Sequence, residues 1–245
     1  MRNIKLTIEY DGKDFNGWQK QPNKLNIQGT IEKAIEDITK ETVNLIASGR
    51  TDAGVHSLGQ VANFKTNSNI PIEKMATAIN SRLKKSIIIK HAEEVDDRFH
   101  SRYNCKKKTY RYIINNSKEG TALYRYLECH IPQKLDIISM KKAIKFFEGE
   151  HDFKAFKASG TSSKSSVRII YKAEIIQKDE RIMIELTGNG FLYNMVRIIA
   201  GTLVDVGLGK INAEEIPDII KAGDRKKAGK TLRPHGLYLV NVEYE

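Results

Sequence analysis

The spacing of apolar residues changes along the first hundred residues of this chain in an order that restricts the fold. Every second residue from Ile4 to Tyr10 is apolar, which is typical of a half-buried strand. Between Gln28 and Thr39 the apolar residues recur at the spacing of an amphipathic helix. The same criteria predict strands at residues 43–47, 60–64 and 87–94, and a helix at residues 72–83. The order β-α-β-β-α-β is that of a ferredoxin-like split unit.

The second half of the chain partly repeats this pattern. The predicted elements are a strand at residues 107–115, a helix at 136–147, strands at 167–177 and 181–187, an apolar helix at 191–206, a short helix from residue 213 and a strand at 237–243. Residues 159–166, rich in serine and glycine, are predicted to form a mobile loop. We therefore expect an α+β fold with two ferredoxin-like halves, residues 1–104 and 105–245. Their sheets are expected to merge, with a cleft between the halves.

The charge of the chain points to a polyanionic partner. Lys and Arg number 41 against 30 Asp and Glu, which gives a formal net charge of +11 and a pI near 9.4. Nucleic acid is the leading candidate. A membrane surface is disfavoured because no apolar run reaches about 18 residues and the N-terminus has no signal-like segment, so we expect a cytoplasmic protein.

The cysteines and glycines give no indication of a metal or a cofactor. Cys105 and Cys129 are far apart and lack partners at metal-ligand spacing, so neither a disulfide framework nor a zinc site is indicated. Glycine-rich nucleotide-binding motifs are absent from the sequence. Any reaction must therefore use side chains.

Asp52 is the strongest candidate for such a side chain. It lies on a glycine-flanked turn between two apolar segments, where a carboxylate is held rigidly but stays open to a ligand. Arg50 can pair with it and keep it ionised. The alternative is an Asx-turn, in which Asp52 only organises the local backbone.

Arg197 is a second candidate because it lies within the apolar stretch 191–200. A charge there is costly unless it is paired, so a carboxylate must be near. That partner could be a carboxylate of the functional site, or a structural one such as Glu185 or Asp205.

A basic and aromatic strand, Lys107–Asn115, could contact RNA. The cations Lys106, Lys107, Lys108 and Arg111 suit phosphates, and neighbouring tyrosine rings can stack on bases. In a strand Tyr110 and Tyr112 share one face, which makes Tyr110 a candidate wall for a flipped base or else a core residue. His56, His151 and His235 lie near turns without ligand spacing and are interpreted as structural or substrate-adjacent.

Motifs along nearly the whole chain occur in the order found in the TruA family of tRNA pseudouridine synthases, which the chain resembles. The most specific is Ser-Gly-Arg-Thr-Asp-Ala-Gly-Val-His at residues 48–56. The others are Tyr-Asp-Gly at 10–12, Phe-Asn-Gly-Trp-Gln at 15–19, Gln-Gly-Thr at 28–30, Gly-Gln-Val at 59–61, Lys-Thr-Tyr-Arg-Tyr at 108–112, His-Asp-Phe at 151–153, Gly-Phe-Leu-Tyr-Asn-Met-Val-Arg at 190–197 and Pro-His-Gly-Leu-Tyr-Leu at 234–239.

This resemblance implies roles for five residues. Asp52 would be the catalytic carboxylate, and Tyr110 would pack against the target uracil. Arg50 and Arg197 would organise the site, and Leu237 would border the pocket. Whether Asp52 attacks the sugar or abstracts a proton there stays open.

The resemblance also implies a homodimer that uses no cofactor or metal and isomerises uridines at positions 38, 39 and 40 of the tRNA anticodon stem-loop. The implied fold has an extended, mainly antiparallel sheet flanked by helices. The chain departs from the family pattern at residues 230–233, Lys-Thr-Leu-Arg, where the family usually has a Thr-Ala-Pro type of sequence.

Other function classes remain open. One is a paralogous pseudouridine synthase with a different RNA target site, and another is a tRNA-binding protein without catalysis. A ribonuclease would need a histidine pair or metal-binding acids, and neither is visible in the sequence.

Overall fold

A computed structural model describes residues 1–160 and 165–245. The predicted mobile loop at residues 159–166 therefore falls partly outside the described residues. The chain divides into two compact units, Met1–Lys106 together with Tyr238–Glu245, and Lys107–Leu237. None of the helices in the described part of the chain has the length and hydrophobicity needed to span a bilayer.

The first unit has the predicted order of elements. They are β1 (Arg2–Tyr10), α1 (Ile27–Thr39), β2 (Ile46–Ala47), β3 (His56–Thr66), α2 (Ile72–Asn80) and β4 (Ile87–Val95). Strand β1 pairs antiparallel with β3 on one side and with β4 on the other, and β2 pairs antiparallel with β3. Ile4, Leu6 and Ile8 of β1 are fully buried in one core cluster with residues of both helices. The alternation in β1 therefore marks its core face, as predicted.

Strand β2 is shorter than the predicted segment 43–47 because α1 takes over part of its hydrogen bonding. The Leu45 amide donates to Glu32 Oε1 at 3.1 Å, and the Leu45 carbonyl accepts from Gln28 Nε2 at 3.2 Å. Both backbone groups are thus satisfied by side chains of a helix instead of a strand.

The second unit also combines strands and helices. Its elements are β5 (Lys107–Asn115), β6 (Cys129–His130), α3 (Ile137–Lys145), β7 (Gly149–Asp152), β8 (Val167–Lys178), β9 (Arg181–Gly188), α4 (Met195–Gly207) and α5 (Ile216–Ala222). Strands β5, β9, β8 and β7 are neighbours in that order, with antiparallel pairing, and β6 pairs parallel with β5. Strands β6 and β7 have two and four residues, too few for a recognisable alternation.

The last strand, β10 (Leu237–Glu243), pairs parallel with β3 through Tyr238 opposite His56 and Leu239 opposite Ser57. Residues Tyr238–Glu245 consequently belong to the first unit, whereas the sequence assigns them to the second half. The α+β class with a mixed, mostly antiparallel sheet flanked by helices agrees with the prediction.

Helix α4 begins at Met195, four residues later than the predicted start at 191. Asn194 precedes it with a φ of 62°, in the left-handed region, so the helical conformation cannot extend back through this residue.

Candidate active site

Asp52 lies in the loop between β2 and β3, on a turn that the backbone closes. The Val55 amide donates to the Asp52 carbonyl at 3.1 Å, and Gly54, at the third position, has a φ of 78°. A positive φ at this position favours glycine. The turn is thus closed by its own backbone, and the role of the Asp52 carboxylate stays a prediction. Asp52 itself is half-buried.

The loop that follows β1 packs backbone to backbone on the Asp52 turn. The Trp18 amide donates to the Thr51 carbonyl at 3.0 Å. A Cβ on Gly17 would lie 2.5 Å from the Thr51 carbonyl oxygen, and one on Gly12 would lie 2.0 Å from that of Val55. Only glycine fits at these two places, so both glycines are required for the close approach that holds the turn.

Thr51, which precedes Asp52, is held by its side chain as well. Its hydroxyl lies 2.8 Å from the hydroxyl of Tyr10, and both residues are buried. Burial raises the pKa of Tyr10 well above its usual value, so this hydroxyl stays protonated and available for the hydrogen bond. The residue next to the carboxylate is therefore fixed on both its side chain and its carbonyl.

Gln60 holds the start of the same loop. Its side chain is 0% exposed, accepts from Ser48 Oγ at 2.7 Å and donates to the Gly49 carbonyl at 3.0 Å. The supporting roles of Tyr10, Thr51 and Gln60 were missed by reasoning from single residues. All three lie within the motifs on which the family resemblance depends, and that was the available signal.

His56 is 2% exposed and holds the loop at its other end. The Gly12 amide donates to Nδ1 at 3.1 Å, and Asp11 Oδ1 also lies 3.1 Å from Nδ1. His56 Nδ1 therefore contacts both a backbone amide and a carboxylate of the loop that follows β1. The ring stacks on Tyr238 with centroids 4.9 Å apart. His56 thus links the Asp52 loop to the loop that follows β1 and to β10, and its structural or substrate-adjacent role stays a prediction.

Two further candidates of the first unit are exposed. Arg50 lies two residues before Asp52, and its predicted pairing with that carboxylate stays a prediction. Lys106 is exposed as well, and its amide donates to the Glu243 carbonyl at 2.9 Å.

In the second unit, Tyr110 lies on β5 opposite Leu186 and is 8% exposed. Its ring meets Phe191 edge-on with centroids 5.0 Å apart. Tyr112 is fully buried, and its hydroxyl donates to the Arg233 carbonyl at 2.6 Å. Both tyrosines are buried, as expected of side chains on one face of a strand. Tyr110 is well fixed by its surroundings, which suits a pocket wall and a core residue alike.

Arg197 is the third residue of α4, and the contacts around it organise the adjoining chain. Its Nε donates to the Leu232 carbonyl at 2.8 Å, and its Nη1 donates to Asn194 Oδ1 at 2.6 Å. The two carboxylates suggested as structural partners are bound by other cations: Glu185 lies 2.6 Å from Arg111, and Asp205 lies 3.4 Å from Lys210.

Helix α4 and residues 229–232 approach each other closely. A Cβ on Gly201 would lie 1.8 Å from the Lys230 carbonyl oxygen, and the Leu232 amide donates to the Arg197 carbonyl at 3.2 Å. Because Gly201 has no side chain, residues 230–232 can pack against the middle of α4 and bind Arg197. Leu237 is buried and directly follows the 3-10 helix Pro234–Gly236.

The remaining cations predicted to contact RNA differ in whether their charged groups already contact other side chains. Arg111 is neutralised in large part by Glu185 across the β5–β9 pair. The Lys107 ammonium lies 5.5 Å from the centre of the Tyr171 ring, and Lys108 is half-buried opposite Gly188. Among the described residues, no group of three or more His, Cys, Asp or Glu side chains is arranged to hold a metal ion.

Comparison with known proteins gives matches over the full chain. A family model described as tRNA pseudouridine synthase matches residues 6–104 and 143–245. A protein named tRNA pseudouridine synthase A from Acetivibrio thermocellus is 53% identical over 244 residues, and one of the same name from Caldicellulosiruptor saccharolyticus is 54% identical over 244 residues. A protein named tRNA pseudouridine synthase A 2 from Clostridium perfringens is 52% identical over 244 residues. Each of these three matches covers 100% of both chains. Tyr110 lies between the two ranges of the family model but within the full-length matches.

Proposed function

Because this chain belongs to the tRNA pseudouridine synthase family, it is an isomerase that acts on tRNA, and we propose that its targets are uridines 38, 39 and 40 of the anticodon stem-loop. We propose further that it works in the cytoplasm as a homodimer, without a cofactor or metal ion. The catalytic part of this proposal depends on the Asp52 turn. Hydrogen bonds from Tyr10 and Trp18 to Thr51 keep this turn in one conformation.

Asp52 is proposed as the catalytic carboxylate. Isomerisation breaks the bond between N1 of uracil and C1′ of the ribose, turns the base while it is held, and joins C5 to C1′; C5 then loses its proton and N1 gains one. Nothing is oxidised or reduced, and a positioned carboxylate that acts as a nucleophile or as a base is sufficient. A preformed turn suits this role because the carboxylate loses little conformational freedom when the substrate binds.

The other site residues are proposed to handle the base. A uridine in a stem must leave the base stack before it can react, which costs a few kcal/mol. We propose that Tyr110 stacks on the uracil, that Arg50 and Arg197 organise the site, and that Leu237 borders the pocket. Fixed contacts at Tyr110 and Arg197 support these roles, since both side chains are ordered before any ligand binds.

The proposed function is tested with an unmodified tRNA transcript that carries uridine at positions 38–40. After incubation and carbodiimide labelling, reverse transcription should stop next to those positions and nowhere else. A transcript with cytidine at the same three positions is the matched control. Stops at other uridines would identify a synthase with a different target, and a shortened RNA would identify a nuclease. Bound tRNA without any stop would identify a binding protein without catalysis.

A different target site is the second candidate, because membership of the family does not by itself fix which uridine is modified. The relatives from Clostridium perfringens and Clostridium tetani, 52% and 49% identical to this chain, are both named tRNA pseudouridine synthase A 2. Reverse-transcription stops at positions other than 38–40 would identify this second candidate.

Two variants of Tyr110 separate its ring from its hydroxyl. Tyr110→Ala should weaken tRNA binding and slow turnover, because stacking of a base on an aromatic ring is worth about 1–3 kcal/mol. Tyr110→Phe should bind normally and lose rate only if the hydroxyl relays a proton. Single-turnover kinetics measure both effects. Wild-type kinetics for both variants would make Tyr110 a core residue.

The lysines around the start of β5 are proposed to bind tRNA phosphates. Replacing Lys106, Lys107 and Lys108 with Gln should lower the slope of log affinity against log salt by roughly 0.7–0.9 for each phosphate that is no longer neutralised. Arg111→Gln should have a smaller effect, because Glu185 already neutralises this cation. Fluorescence anisotropy with labelled tRNA over a salt series measures the slope. An unchanged slope in the triple variant would place the RNA elsewhere.

The homodimer proposal follows from the family resemblance and from the size of tRNA. One anticodon arm leaves the rest of an elongated tRNA without a contact unless a second surface is present. Multi-angle light scattering of the active protein should therefore give twice the mass of one chain. A fully active monomer would contradict the proposal.

A further inference from the structure

A cavity of about 790 Å³ lies within the second unit, in a region to which the proposed function assigns no role. Its walls come from two parts of the chain, residues 115–131 and residues 230–235. Three cationic side chains, Arg125, Lys230 and Arg233, line it together with two histidines, His130 and His235. Neither Tyr110 nor Arg197 is among the described residues that line the cavity.

The carboxylates of the cavity offset only part of this positive charge. Glu128 is 6% exposed, and its Oε1 lies 2.5 Å from Nε of Arg181, a cation outside the lining. Its other oxygen accepts from Asn115 Nδ2 at 3.1 Å. Glu128 is thus bound on both oxygens, which leaves the exposed Glu119 as the remaining acid against three cations. The excess of positive charge in the cavity favours binding of an anion.

Two exposed aromatic residues flank Arg125, a lining residue of the cavity, in the sequence. Tyr124 and Tyr126 are 42% and 43% exposed. The Arg181 guanidinium lies 4.5 Å from the centre of the Tyr124 ring, and that of Arg125 lies 4.6 Å from the centre of the Tyr126 ring. Exposed rings beside cations can stack on bases while the cations bind the phosphate next to them. This combination favours RNA over a small free anion.

Residues 230–233, which supply Lys230 and Arg233 to the cavity, also bind the proposed site residue Arg197. Leu232, between Lys230 and Arg233, binds Arg197 through its carbonyl, and the Arg233 carbonyl accepts from the Tyr112 hydroxyl. Residues 230–233 are where the chain departs from the family pattern. The backbone that carries Lys230 and Arg233 is therefore held in place by the hydrogen bonds to Arg197 and Tyr112.

We propose that this cavity binds a phosphate group of the tRNA substrate, with Arg125, Lys230 and Arg233 as its ligands. The proposal rests on the tRNA substrate of the proposed function. A free phosphate ion presents the same chemistry, so the test must separate the two sources.

The test compares Arg125→Gln, Arg233→Gln and the double variant with Lys141→Gln, a matched control in which an exposed lysine on α3 is replaced. Anisotropy with labelled tRNA over a salt series should give a slope that falls by roughly 0.7–0.9 in the double variant, the value for one lost phosphate contact, and by less than that in each single variant. The control should keep the wild-type slope. Tyr126→Ala should weaken tRNA binding without changing the slope, because it removes a ring and no charge. Circular dichroism confirms that each variant is folded.

A second measurement uses inorganic phosphate as the probe, with the melting temperature followed at constant ionic strength. If phosphate stabilises the wild type but not the double variant, while all tRNA slopes stay equal, the cavity binds a free anion and the RNA assignment is overturned. Slopes and melting shifts equal to those of Lys141→Gln would overturn the site altogether. Failure of the proposed function would give a different result: the wild-type protein would bind tRNA with the full salt dependence but form no pseudouridine.

Discussion

Asp52→Asn is expected to lower the rate of pseudouridine formation by at least about a thousandfold while tRNA binding is retained. Asparagine keeps the shape of the side chain but cannot act as an anionic nucleophile or as a base. The turn itself should survive, because it is closed by the bond from the Val55 amide to the Asp52 carbonyl and by the positive φ of Gly54. The effect should therefore be on chemistry and not on folding.

The measurement is single-turnover kinetics at saturating protein, together with anisotropy for tRNA affinity. Asp14→Asn is the matched control, since Asp14 is an exposed carboxylate on the loop that packs against the same turn. It should behave like the wild type. If the Asp52→Asn variant, purified free of wild-type protein, still forms pseudouridine at a near-normal rate, Asp52 has no part in the mechanism.

Gly201→Ala is expected to lower the free energy of unfolding by about 1–3 kcal/mol or more, although alanine is the better helix former. In an unconstrained helix this change would add about 1 kcal/mol of stability. Here the new Cβ would lie 1.8 Å from the Lys230 carbonyl oxygen, and a backbone atom cannot rotate away. Residues 229–232 must shift, which would also strain the bond between Arg197 Nε and the Leu232 carbonyl.

Gly207→Ala, in the same helix, is the matched control. Its Cβ would lie 2.7 Å from Met140 Sδ and 3.2 Å from Leu135 Cβ, which are side-chain atoms and can adjust more easily than a backbone carbonyl. Chemical denaturation should show a clear loss of stability for Gly201→Ala and a smaller loss for Gly207→Ala. Turnover should fall for the first variant only. Equal stability of the two variants would mean that residues 229–232 are not held against α4 in solution.

Much of the fold was predictable because its signals are local. Alternation fixed the face of β1, helical spacing located α1, and the predicted bounds of β5, Lys107–Asn115, are those observed. The main errors occurred where another part of the chain decides the outcome. Strand β2 is shortened by side chains of α1, and α4 starts late because Asn194 adopts a left-handed conformation.

For the site, residue types and their near neighbours were enough to identify the candidate reacting group, the glycine-bearing turn that carries it, and the family to which the motifs belong. The supporting contacts needed the folded chain. Folding places the Tyr10 hydroxyl on Thr51, 41 residues away, and Arg197 on Leu232, 35 residues away. It also brings Arg125 to the same cavity as Arg233. Contacts of this kind depend on how the chain returns on itself, and no local periodicity specifies that path.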